Sequence, residues 1–477
     1  MRYLSRNNGR AGLPMVWLLA LGLPLVAGAC KGNALQVVDP ERATPANLTP
    51  DVAFAGALSD FQQAYSGHGL DDEILSTVLD FTDEAYSSGT FSTRTHTDQR
   101  DQFTPQNGNT TDAAYGNLHI ARSSAVSAQE KIATDVSAND PRISELKSYI
   151  GYDYTAMGEN FCSNIPFSST ADFAPTTAGS PLTTAQMFSA AADTFDAAIS
   201  AAQDNQRKYL AMVGKARALL DNGDYAGAAA AVSAVPTDFV FLIYHNAAVS
   251  ADQNPIFNLM SNGRYSVANG QAGTTVADPD GTGGNGLNFR SANDPRVPWA
   301  QDPSGGFDQT IPQYVSLRYP LQGSNVVLAD GIEARLIEAE AALNNGDTGT
   351  WLGILNSLRA NVGDLLAARY DPPEPNDFGF PNQVTATTLS PITDPGTQAA
   401  RVDTMFRERA FWLYATGHRL GDLRRLIRQY GRNEADVFPS GPYYKGGVFG
   451  TDVAFQVAFD EQNNPNYQLS MCDVSKP

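Results

Sequence analysis

Residues 399–430 read AARVDTMFRERAFWLYATGHRLGDLRRLIRQY, and their spacing predicts a helical hairpin. Phe406, Ala410 and Leu413 recur at three and four residues, the period of one helical face, and a second run follows the interruption at Gly417-His418. The same punctuation occurs twice more. In 207–236 (RKYLAMVGKARALLDNGDYAGAAAAVSAVP) an apolar stripe through Tyr209, Met212, Val213, Ala216, Leu219 and Leu220 stops at Asn222-Gly223. Gly223 can take the left-handed conformation that ends a helix, Asp224 can cap the next one, and Pro236 blocks its continuation. In 331–360 (GIEARLIEAEAALNNGDTGTWLGILNSLRA) Leu336, Ala339 and Leu343 form the stripe and Gly346-Asp347 the break. Three helix-glycine-helix units set far apart predict a mostly α chain with long insertions.

Working outward, Met187, Ala191, Phe195, Ala198, Ile199 and Ala202 predict a helix within 186–204, and further helices are expected at 51–66, 111–137 and 142–158. The 207–236 unit resembles a tetratricopeptide repeat, with Gly214, Ala216, Gly223, Tyr225, Ala228 and Pro236 at its small, turn and closing positions. Two stretches, about 251–328 and 370–396, are rich in Gly, Asn, Asp and Pro and have no helical period. Their spaced aromatic residues predict ordered loop insertions rather than disorder.

Composition narrows the function. The 477 residues are 42% hydrophobic and 17% charged, enough to fold around a core, and 32 Lys and Arg stand against 51 Asp and Glu for a formal charge of -19. Such a chain repels a phosphate backbone, so no nucleic acid is expected as partner. None of the five histidines lies in an HExxH motif, and neither GxSxG nor a phosphate-cradling GxxxxGK[ST] occurs. GTGGNG at 281–286 has no strand before it. DPDGTGG at 278–284 hints at a calcium loop through Asp278 and Asp280, but Phe289 stands where the bidentate Glu belongs, so a plain turn is the better reading of the 278–289 loop. No catalytic residue, cofactor or metal site is nominated. The many carboxylates do not single out a glycosidase pair.

The N-terminus sets the compartment. Arg2, Arg6 and Arg10 precede an uncharged apolar run at 13–29, broken by Pro14, Gly22 and Pro24 and too short to span a bilayer. Leu25-Val26-Ala27-Gly28-Ala29-Cys30 resembles the lipobox of bacterial lipoproteins. This predicts a signal peptide over 1–29, acylation of Cys30, a tether and extended lead-in over 30–50, and a single domain over 51–477. With Cys30 committed to lipid outside the cytoplasm, Cys162 and Cys472 remain, and the even remainder predicts a disulfide.

Several motifs together are more specific. Arg407-Glu408-Arg409-Ala410-Phe411, Gly417-His418-Arg419 and Asp422-Leu423-Arg424-Arg425 resemble the R-E-x-x-F…G-x-R-x-x-D-L-x-R signature of the SusD/RagB-like outer-membrane lipoproteins. Val38-Asp39-Pro40 with Asn47-Leu48, Asp294-Pro295-Arg296, Glu338-Ala339-Glu340-Ala341 and Asn464-Pro465-Asn466-Tyr467 are similar to further landmarks of that family. The glycine-rich 270s, the two late cysteines and Leu413-Tyr414-Ala415-Thr416 in place of FEG depart from it, so the chain reads as a divergent member. The resemblance implies a mostly α SusD-like fold with four tetratricopeptide-like hairpins as scaffold and loop insertions as ligand face. It implies a non-catalytic, lipid-anchored protein, exposed on the outer membrane at the cell surface. Such a protein binds oligosaccharide or another nutrient, such as peptide, and delivers it to a TonB-dependent, SusC-like transporter.

Within that frame, Arg407, Glu408, Arg419, Asp422 and Arg424 are expected to pair among themselves and fix the last hairpin. Trp351 and Trp412 lie in helical stripes and read as core. Trp299, Tyr314 and Tyr319 in the irregular middle, and Tyr443 and Tyr444 after Gly441-Pro442, are the expected ligand-facing aromatics. A helical-repeat envelope adaptor and an extracytoplasmic glycan hydrolase are the alternatives. Tandem repeats without long insertions would favour the first, and turnover would reveal the second.

Overall fold

A computed structural model describes residues 48–67, 73–89, 92–101, 110–168, 177–281 and 284–477. The expected signal peptide and the Cys30 acylation site lie outside these residues. The helices, in order, are α1 (Pro50–Ser66), α2 (Ile74–Phe81), α3 (Ser92–Asp98), α4 (Thr110–Asp135) and α5 (Arg142–Asn160). There follow α6 (Thr184–Ala201), α7 (Asn205–Asp221), α8 (Tyr225–Val232), α9 (Pro255–Ser261) and α10 (Gly331–Asn344). The last five are α11 (Thr348–Ala360), α12 (Val362–Ala367), α13 (Gln398–Trp412), α14 (Arg419–Arg428) and α15 (Glu434–Val437). Strands are short: β1 (Ala85–Ser87), β2 (Ile165–Pro166), β3 (Pro181–Leu182), β4 (Val240–Ile243), β5 (Tyr265–Val267), β6 (Trp299–Asp302), β7 (Gln313–Ser316) and β8 (Val326–Asp330). They pair antiparallel as β1-β5, β2-β3, β4-β8 and β6-β7.

Local chemistry accounts for the hairpins. Gly223 turns with φ of +84°, and the Asp224 carboxylate accepts the amide of Gly227 at 2.8 Å to open α8. Gly346 repeats the turn at φ of +79°, and Asp347 accepts from Thr350 N at 3.0 Å to open α11. The third hairpin is built differently. After α13 the chain runs through Leu413–His418, where Ala415 takes a φ of +54°, a left-handed conformation unfavourable for a residue with a Cβ, before Gly417 at +78°. His418 makes no capping bond to α14.

Helices α4, α5, α6, α7 and α8 pack in sequence, α1 lies on α4, and α10 joins α7, α8, α11 and α13. Their inner faces merge into one hydrophobic core in which Trp351 and Trp412 are fully buried. No described helix is long and apolar enough to cross a membrane.

The 251–328 stretch is less irregular than its sequence suggested: α9, β5, β6, β7 and the start of β8 lie within it. Elements of three to seven residues are too short to show a period; β5 and β8 are held by β1 and β4 far along the chain, and β6 by nearby β7. The 370–396 stretch has neither helix nor strand. It is held on the scaffold by Asn356 Nδ2 on Ile392 O, Asn356 Oδ1 under Ile392 N, and Gln383 N on Trp299 O at 2.8 Å. Cys162 and Cys472 are disulfide-bonded, with Cα atoms 5.3 Å apart and a sequence separation of 310.

Candidate functional site

Apart from the half-buried Arg407, the arginines and acids of the α13–α14 signature are buried, and their partners come from the whole chain. Glu408 accepts from Arg296 at 2.8 Å and Arg359 at 2.6 Å; Arg419 pairs with Asp83 at 2.6 Å. Asp422 receives Arg409 and Arg425, both at 2.8 Å, and Arg425 also grips Glu340. Arg424 donates to the carbonyls of Gly158 and Glu159. Burial raises the Asp422 carboxyl, but Arg409 and Arg425 outweigh it and hold the group below its usual range. The expectation that these residues pair mainly with one another is therefore corrected. The signature fastens the last hairpin to the turn between α2 and β1, to α5, α10 and α11, and to the Asp294-Pro295-Arg296 turn, because helical spacing fixes which face a charge occupies but not what packs there. Such a network sets the geometry of the hairpin.

Burial also corrects the aromatic set. Tyr319 is 0% exposed and donates to Ala415 O at 2.8 Å. Tyr443 and Tyr444 are 1% and 4% exposed and both donate to the buried Asp98 carboxylate, at 2.7 and 2.6 Å. These three rings close the core, each hydroxyl having found an acceptor inside, and they are not available to a ligand. Asp98 itself is pushed up by burial, against the pull of Lys445 and the two hydroxyls.

Trp299 and Tyr314 remain half-buried, on the paired strands β6 and β7. Their rings meet edge to face at 5.6 Å, and the Arg290 guanidinium lies 3.5 Å from the Tyr314 centroid. Trp299 Nε1 donates to Arg290 O at 3.2 Å, and Arg290 is itself held by Asp280 and by Val267 O. With its ring orientation fixed and part of its surface open, this pair has the makings of a stacking platform. The same contacts account for the 278–289 loop. Asp280 is occupied by Arg290 and the Asn269 amide, Asp278 accepts from Gly281 N, and the described residues hold no cluster of three metal-ligating side chains.

A cleft of about 370 Å³, which neither the Trp299 nor the Tyr314 ring lines, opens where the two insertions meet α12 at Gly363, Leu366 and Ala367. The first insertion contributes Pro295, Pro298 and Leu317, the second Asn382, Val384 and Thr387, and Tyr370 lies with Arg318 stacked 3.6 Å from its ring centroid. An apolar concavity with a few polar groups suits a ring-shaped ligand. Asn382, Val384, Thr387 and Tyr370 were not singled out in the sequence. The only signal there was the aperiodic, proline-rich composition of their segment.

No protein-family model and no curated protein matches this sequence. Solved structures do. A SusD/RagB family protein from Bacteroides thetaiotaomicron is similar over 89% of this chain and 96% of its own, with a TM-score of 0.58 and 14% identity. A SusD-like carbohydrate binding protein from Bacteroides vulgatus is similar over 79% and 83%, with a TM-score of 0.52 and 14% identity. A laminarin binding SusD-like protein is similar over 83% and 96%, with a TM-score of 0.51 and 15% identity. At these identities the likeness is one of fold.

Proposed function

We propose, from a chain that has the SusD-like fold, that it is a divergent member of that family which captures oligosaccharide outside the cell without turning it over. The observation that carries this reading is the likeness of fold across most of the chain to proteins described as carbohydrate binding. The half-exposed Trp299–Tyr314 pair and the cleft at Tyr370 each support it, since a sugar presents C–H groups to an aromatic face and hydroxyls to polar neighbours. Acylation at Cys30 would anchor the protein on the outer membrane, and the ligand would pass to a TonB-dependent, SusC-like transporter.

The test has two arms. Calorimetric titration of the chain beginning after Cys30 with neutral and acidic oligosaccharides should yield saturable binding and no new reducing ends; release of product would instead make it a hydrolase. Fractionation of cells expressing the full chain should place it with the outer membrane, and Cys30→Ala should release it. A Cys30→Ala protein that stays wholly in that fraction sinks the anchor.

A further inference from the structure

Five arginines belong to the α13–α14 signature, and four are buried and committed. Arg409, Arg419 and Arg425 have carboxylates, and Arg424 has two carbonyls. Arg407 differs. It is half-buried, its Nη1 donates to Asn288 Oδ1 at 2.9 Å, and its guanidinium lies 4.4 Å from the Phe411 centroid. No carboxylate pairs with it among the described residues. Its plane is thus fixed by stacking and one amide bond while its remaining N–H groups are left for another acceptor.

Arg407 lines a cavity of about 220 Å³ with Asn285, Leu287, Phe406, Arg432 and Asp436. The other charges on its wall are already compensated or lie at the rim. Arg419 is taken by Asp83, Arg432 and Asp403 pair with each other at 2.6 Å, and the exposed Asp436 accepts from Asn433 Nδ2. Burial and then the charge of Arg296 lower the proton affinity of Arg407, with Glu408 and Asp294 pulling the other way. The cavity is smaller than the roughly 300–1,000 Å³ of sites that enclose a whole drug-sized ligand, and so suits a substituent rather than an oligomer. One stretch of chain joins it to the platform: Asn285 and Leu287 line the cavity, Asn288 holds Arg407, and Arg290 stacks on Tyr314 and accepts Trp299.

We propose that Arg407 and its cavity form an anion subsite that receives the carboxylate or sulfate of an acidic saccharide whose ring rests toward Trp299 and Tyr314. The inference rests on the glycan-binding reading and names the substrate class for it. The shared chemistry is an oxyanion, which a free inorganic anion could also supply.

The test is titration of the chain with galacturonate and glucuronate oligosaccharides, their neutral galactose and glucose counterparts, and inorganic sulfate. At least one acidic oligosaccharide should bind about tenfold or more tightly than its neutral counterpart, the size of effect expected from one charge-assisted contact, with the preference shrinking as sodium chloride is added. Arg407→Met should reduce the preference to about twofold or less, Arg407→Lys should keep part of it, and Asp436→Asn should enlarge it, all three with nearly unchanged melting temperatures. Equal binding of acidic and neutral oligomers, or a preference that survives Arg407→Met, overturns the subsite and leaves glycan capture standing. Sulfate binding at Arg407 with no saccharide bound makes the cavity a free-anion site and overturns both. No binding of any probe does the same.

Discussion

Arg425 reaches across 85 residues to grip Glu340 with both Nη atoms, at 2.5 and 3.0 Å, where neither side chain is exposed to solvent. Tyr430 donates to the same carboxylate at 2.7 Å, and Arg425 also touches Asp422 and Asp221. One guanidinium therefore ties α14 to α10 and α7. Taking charge out of water costs several kcal/mol per ion, and only this density of partners offsets it. Removing one side is far costlier than never having built the pair. Glu340→Ala should lower unfolding free energy by about 3–5 kcal/mol in a denaturant titration. A loss below about 1 kcal/mol would show that the pair is not part of what holds the helices together.

The strained turn at Ala415 has a titratable support. Its amide donates to Glu84 Oε1 at 2.9 Å, and burial pushes the Glu84 carboxyl up to about 8, with the Ala415 amide and Arg419 only partly opposing. The folded chain thus keeps a proton that the unfolded chain releases near 4.5. Stability at this site falls as pH rises from about 4.5 to about 8 and is level outside that window. Glu84→Gln, which keeps an acceptor for Ala415, should unfold like the parent near the bottom of the window and gain on it by up to several kcal/mol toward the top. Parallel pH profiles for the two proteins would refute the shift.

Ala415 itself offers a simpler measurement. Its φ of +54° favours glycine, so Ala415→Gly should raise stability by about 1 kcal/mol, relief of strain exceeding the added freedom of the unfolded chain. A destabilised variant would mean that the Ala415 methyl, fully buried, contributes more by packing.

The disulfide closes a loop of 310 residues. In the chain-entropy account a loop this long contributes about 6 kcal/mol, and measured values often fall short. Cys162→Ser with Cys472→Ser should lower the denaturant midpoint clearly while leaving the helical signal of the folded state intact. Equal midpoints for the parent with and without reductant would contradict it.

The split among the aromatics can be tested directly. Tyr444→Ala removes a buried ring and one of the donors to Asp98, and should cost about 3–5 kcal/mol of stability while the folded fraction still binds oligosaccharide. Trp299→Ala should cost only about 1–2 kcal/mol and weaken binding about tenfold or more. If Trp299→Ala binds like the parent, the ligand lies elsewhere on the surface.

The hairpin scaffold was legible in the linear chain because its causes are local. The stripe from Tyr209 to Leu220, the left-handed Gly223 and the capping Asp224 act within about ten residues, and the helices formed within a few residues of where these signals stop and start. The helices missed, such as α2 and α9, are seven to eight residues long, too short for a period to declare itself.

What a residue's own neighbours along the chain could not decide was its environment. Tyr443 and Tyr314 look alike as loop tyrosines, yet one is sealed over Asp98 and the other keeps an open face beside Trp299. Arg407 and Arg409 stand two residues apart in one motif. Arg409 meets Asp422 in the core, whereas Arg407 meets Asn288 at the wall of a cavity. Helical spacing sends such neighbours to different faces, and what waits at each face comes from another segment, 13 residues away for Asp422 and 119 for Asn288, brought there when burial of the apolar stripes packs the hairpins together.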